Sequence, residues 1–163
     1  MHIIKSFVVL IIFCVLFSTA FAGQKIYVSG GYAIKGMDTV AYFTKNKAIR
    51  GSKEFSYEWE DAIWLFENKE HMDLFINDPE KYAPAYGGWC AYGVVEKGML
   101  VWSAPRSAWD IINNRLFSQA MEAATRFNKT QASIAKGDKI WEKIGQKYPI
   151  KLYLFESMYS SSW

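Results

Sequence analysis

The sequence predicts an α+β domain in which an aromatic β-hairpin and a helix form the core and a helical C-terminal segment closes it. Three observations carry that prediction. Phe55, Tyr57 and Trp59 alternate with Ser56 and Glu58, the period of a strand with one buried face. From Ser118 the apolar residues change to helical spacing, Met121, Ala124 and Phe127 first, then Ile134, Trp141 and Ile144. Aromatic residues make up 17% of the 163 residues, enough apolar surface for a dense core built from short elements.

The N-terminus reads as a secretory signal peptide. Lys5 precedes the apolar run SFVVLIIFCVLF, and STAFAG supplies the small-x-small exit Ala20-Phe21-Ala22. The run is shorter than the roughly 20 residues needed to cross a bilayer. The expected division is therefore a cleaved signal over 1–22, one domain over 23–149 and a tail over 150–163, in the periplasm or outside the cell. An N-terminal anchor that stays uncleaved is the alternative.

Within the domain, GGYAIKGMDTVAYF gives a Gly-rich opening, a turn at Gly36-Met37-Asp38 and the apolar run Val40-Ala41-Tyr42-Phe43. TKNKAIRGSKE is a polar loop. After a Glu60-Asp61 turn, Trp64 and Phe66 resume the alternation and complete the hairpin. Asn68 is placed to cap a helix over KEHMDLFIND, with Met72, Phe75 and Ile76 on one face. Asp78-Pro79 starts a second helix, Pro taking the first position, where its missing N–H costs nothing. GGWCAYGVVEKGMLVW reads as two short strands around Gly98. AWDIINNRLF alternates around Asn113-Asn114, a pair suited to the positive φ angles of a tight hairpin. Gly137-Asp138 is expected to break the C-terminal helical segment, with Asp138 capping the last piece. The tail KLYLFESMYSSSW either docks as a strand or trails.

Composition excludes several kinds of chemistry. Nineteen basic residues face sixteen acidic ones, and no basic stripe stands clear of acidic neighbours, which argues against nucleic acid. Cys14 lies in the expected signal, so after cleavage Cys90 is the one cysteine and His71 the one histidine. An internal disulfide and a structural Cys₄ or Cys₂His₂ zinc site are thereby ruled out. Gly87-Gly88 lacks the sequence context of a phosphate loop and reads as a tight turn or close backbone approach. The methionines are scattered, as core fillers are, without the clustering of a copper site.

YAIKGMDTVAYF, FSYEWEDAIWLF, DLFINDPEKYAPAYGGWCAYGV and AWDI occur in an order and spacing that resemble the YHS-domain proteins, in particular their small exported bacterial branch. The resemblance spans about 32–112 and implies a small α+β domain with a zinc-finger-like hairpin-and-helix core. Related domains beside heavy-metal transport ATPases look like cysteine-based metal modules. Their three cysteine positions fall here on Ala41, Glu67 and His71, and their Asp-Pro on Asp38-Thr39, so no thiolate remains at any of them. The tripeptide that names the family is absent.

Glu67 and His71 are four residues apart and share a helix face if Glu67 lies in the first turn. A carboxylate with an imidazole suits a first-row transition-metal ion, and Asp38 and Cys90 complete the candidate set. The blander reading places Glu67 in solvent near a helix N-terminus and His71 on the surface. A nucleophilic Cys90 would need a base beside it, whereas a buried, inert thiol needs nothing. The sequence thus favours a non-catalytic module that binds a metal ion or small ligand. A thiol-dependent enzyme or redox protein using Cys90 is one alternative. A structural or partner-binding protein, with IKLYLF docking on another chain, is the other.

Overall fold

The computed structural model describes residues 25–147. The expected signal peptide and the C-terminal tail lie outside the described residues. Among the described residues, no helix is long and apolar enough to cross a membrane. The fold is α+β, as the sequence predicts. Strands β1 (Val28–Ser29) and β2 (Tyr32–Ala33) form a small ribbon, followed by helix α1 (Thr39–Lys45). The central hairpin joins β3 (Ser52–Trp59) to β4 (Ala62–Phe66), and helices α2 (Lys69–Asn77) and α3 (Pro79–Tyr82) follow it. A third ribbon, β5 (Trp109–Ile112) with β6 (Arg115–Ser118), leads to helix α4 (Gln131–Lys147).

The aromatic alternation produces the hairpin for the reason expected. Tyr57 pairs with Trp64 and Trp59 with Ala62, so the rings share one face, while Glu58 and the exposed Ile63 share the other. Glu60 and Asp61 both take positive φ, which matches the twist of a two-residue hairpin turn. Helix α2 lands on the aromatic face through Phe75. Its ring lies 5.0 Å from Trp64, 5.1 Å from Phe66 and 5.7 Å from Trp59, centroid to centroid. Asn68 caps this helix by accepting the His71 N–H, and Asp78 caps the single turn of α3. Of the three residues expected on the buried face of α2, Phe75 is buried, Met72 half-buried and Ile76 exposed.

A second cluster fills the space between the β5–β6 ribbon and α4, with Tyr86, Val94, Val95, Phe117, Phe127 and Ile134 at its centre. Asn113 and Asn114 both adopt positive φ at the tip of that ribbon, as their sequence suggests.

Three local expectations are corrected. Val94 and Val95 belong to a wide helical turn over Gly93–Lys97, not to a strand. A strand would send them to opposite faces, whereas the turn buries both in the second cluster. The C-terminal helix starts at Gln131, not near Ser118, because Gln119 extends the ribbon through backbone bonds with Ala104 and Ala108. Helix α4 also runs unbroken through Gly137. A Cβ at Gly137 would lie 2.3 Å from the Tyr86 hydroxyl oxygen, so the glycine permits close packing of the helix on Tyr86.

Candidate metal centre

The site grows from a helix cap. Asp38 sits in extended backbone just before α1, fixed by its own N–H to the Ile49 carbonyl at 2.8 Å. One carboxylate oxygen, Oδ1, accepts the N–H groups of Val40 at 2.9 Å and Ala41 at 3.2 Å. That places negative charge at the positive end of α1 and satisfies two of its orphan donors. The other oxygen, Oδ2, accepts the Glu67 N–H at 2.9 Å and meets His71 Nδ1 at 2.6 Å. Asp38 is completely buried, so the carboxylate ties α1, the end of β4 and α2 together from inside. Burial first, and the Asp38 charge second, hold the nearby Tyr42 hydroxyl far above its ordinary pKa, and that hydroxyl donates to the Pro105 carbonyl at 2.6 Å.

His71 is set by this carboxylate. An ionised carboxylate only accepts, so Nδ1 carries a proton and donates to Asp38. That leaves Nε2 as an acceptor facing Thr44 Oγ1 at 3.2 Å, and the single Thr44 hydroxyl proton serves either Nε2 or the Val40 carbonyl at 3.1 Å. A carboxylate on one ring nitrogen, leaving the other to accept, is the arrangement that orients metal-binding histidines. Glu67 lies immediately after β4, and its half-exposed carboxylate pairs with Lys45 Nζ at 2.5 Å.

Asp38, Glu67 and His71 therefore converge, with ligand-capable atoms all within 4.8 Å of one another. Asp38 already spends its acceptor capacity on four hydrogen bonds. Glu67 and His71 Nε2 are the atoms with capacity to offer.

Cys90 does not join them. It is buried beside Ala120 and Ala123, and its Sγ accepts the Ala120 N–H at 3.2 Å. Its packing neighbours among the described residues are Ala120, Ala123, Tyr92 and Val101, none of which can serve this thiol as a general base at neutral pH. Alkylation should follow from that placement. Iodoacetamide is expected to leave Cys90 unmodified in the native protein and to label it fully in urea, read by intact mass. Rapid labelling of folded protein would contradict this environment.

Two residues of the site escaped the sequence. Thr44 and Lys45 lie in the last turn of α1, and only the assignment of 39–45 as helix would have brought them to the level of His71 and Glu67. No family model matches this chain, and no curated protein or solved structure does either.

Proposed function

We propose that this chain is an exported, non-catalytic YHS-type module that binds a divalent first-row transition-metal ion through Glu67 and His71. Asp38 acts in it as the carboxylate that fixes the imidazole. The observation that carries this reading is the convergence of the three side chains around a buried carboxylate. The family resemblance supports it from another direction. Ala41, Glu67 and His71, the positions that match the cysteines of the heavy-metal modules, are each bonded directly to Asp38. At two of those positions a carboxylate and an imidazole stand where the related modules carry thiolates, while Ala41 offers no ligand. Such donors favour ions such as zinc or manganese over Cu(I).

Lys45 is the internal competitor, since its ammonium already neutralises Glu67. Zinc and manganese titrations, followed by removal of free metal and elemental analysis, test the proposal. One equivalent bound is expected for the native protein. His71→Ala and Glu67→Gln should each lose about tenfold or more in affinity, and Lys45→Met should bind more tightly. Metal at background level, or binding indifferent to His71→Ala, overturns the reading.

A further inference from the structure

A cleft of about 200 Å³ opens between the end of β3, the segment 80–87 and helix α4, and it shares no residue with the Asp38 site. Trp59, Tyr86 and Trp141 give it aromatic walls, and Lys25, Lys81 and Arg115 give it cationic ones. Glu80 is the one acidic side chain in the lining. The carboxylates that balance Lys25 and Arg115, Glu60 and Asp138, stand outside the lining.

Arg115 is held in place before any ligand arrives. Its two terminal nitrogens donate to the Asp138 carboxylate at 3.0 and 2.9 Å, and its guanidinium lies 5.2 Å from the Phe117 ring centre and 5.9 Å from that of Tyr86. The fork with Asp138 uses two of five N–H donors, leaving three for another acceptor. The Asp138 hydrogen bonds also hold the guanidinium firmly in its charged form.

Tyr86 is fixed as well, and at a conformational cost. It is a bulky residue with φ of +56°, a region such side chains rarely occupy. Its hydroxyl donates to the Ile134 carbonyl at 3.2 Å, its ring packs on Phe117 at 5.6 Å, and Gly137 admits it against α4. Strain that a surrounding structure over-determines in this way collects at binding sites.

We propose that this cleft binds a small planar organic carboxylate. The carboxylate takes the free N–H donors of Arg115 and the Lys81 ammonium, and the ring lies on the aromatic walls. The volume suits a single ring. Aromatic faces would also attract an organic cation, but the free Arg115 N–H donors and the Lys81 ammonium in the same lining favour an anion. Inorganic anions would use the charges and leave the indole faces wet.

Benzoate is the probe, with benzyl alcohol as its neutral counterpart. Titration of the purified protein is followed by tryptophan fluorescence, to which Trp59 and Trp141 report directly, and by calorimetry. Saturable benzoate binding with no benzyl alcohol binding is expected. Arg115→Lys keeps a cation against Asp138 while removing the planar fork, and should weaken benzoate about tenfold. Lys81→Gln, at an exposed position, should weaken it several-fold and is the second reading of the same site. Absence of saturable binding at millimolar benzoate, equal binding of benzyl alcohol, or native affinity in both variants overturns the proposal.

Discussion

Replacing Asp38 with alanine is expected to lower the unfolding free energy by about 3–5 kcal/mol, measured by urea denaturation, because it removes one member of a buried, hydrogen-bonded pair. Four bonds end on this carboxylate, and they reach three elements. Without it, α1 loses its cap, and the Glu67 N–H and the imidazole N–H are left buried with no acceptor. These losses overlap and do not add. Asp38→Asn is the sharper variant, since it keeps the volume but turns an NH₂ group toward N–H donors on one side or the other. It should recover little of the alanine loss. His71→Ala leaves the three backbone bonds to Asp38 in place and should cost less, about 1–3 kcal/mol. An Asp38→Ala protein more stable than His71→Ala would mean that the carboxylate is not the keystone of these contacts. The ranking also decides how metal data are read. Metal lost in an Asp38 variant reports collapse of the site, whereas metal lost in Glu67→Gln reports a ligand.

The parts of the fold that were legible share one property: their signal is contained within a few neighbouring residues. Alternation at Phe55, Tyr57 and Trp59, the caps at Asn68 and Asp78, and the Asn113-Asn114 turn each satisfy their own backbone locally. Helix α1 is different. Its seven residues include a β-branched and aromatic run that reads equally well as a strand, and Asp38, which caps it, is fixed by partners 29 and 33 positions downstream. Thr44 and Lys45 were hidden for the same reason. Gly137 was misread because a glycine within a helical pattern looks like a break, when its cause lies across the domain in the Tyr86 hydroxyl.

The site was legible as a set of residue types and not as a division of labour. Helical spacing does not bring Glu67 and His71 together, because Glu67 precedes the Asn68 cap and lies outside the helix; Asp38 Oδ2, bonded to both residues, does. Nothing in the sequence said that Asp38 would be saturated by backbone donors, because that depends on where the end of β4 meets the start of α1. Cys90 stood out by arithmetic alone, and its surroundings of Ala120 and Ala123 are those of a packing residue. A rare residue type draws attention in proportion to its reactivity in general. Its local partners decide whether that reactivity is used.

Gly87→Ala should be the most damaging change of a single methyl group, with a loss of at least about 3 kcal/mol in urea denaturation. Two separate effects coincide there. The backbone has φ of +60°, which charges any L side chain about 1–2 kcal/mol. The new Cβ would also fall 1.9 Å from the Lys25 carbonyl oxygen, a contact that no side-chain rotation can relieve because both partners are backbone. The Gly87 carbonyl accepts the Tyr27 N–H at 2.8 Å, so the segment cannot move away without breaking that bond. Gly98→Ala isolates the first effect from the second. Gly98 has φ of +61°, yet a Cβ there meets nothing within 4 Å, so its loss should stay near about 1–2 kcal/mol. Equal losses at the two positions would show that the segment around Lys25 yields easily, and with it the wall of the cleft that Gly87 and Tyr86 build. A large gap between them would show that wall to be rigid, the condition under which Arg115 and the aromatic rings meet a ligand already in place.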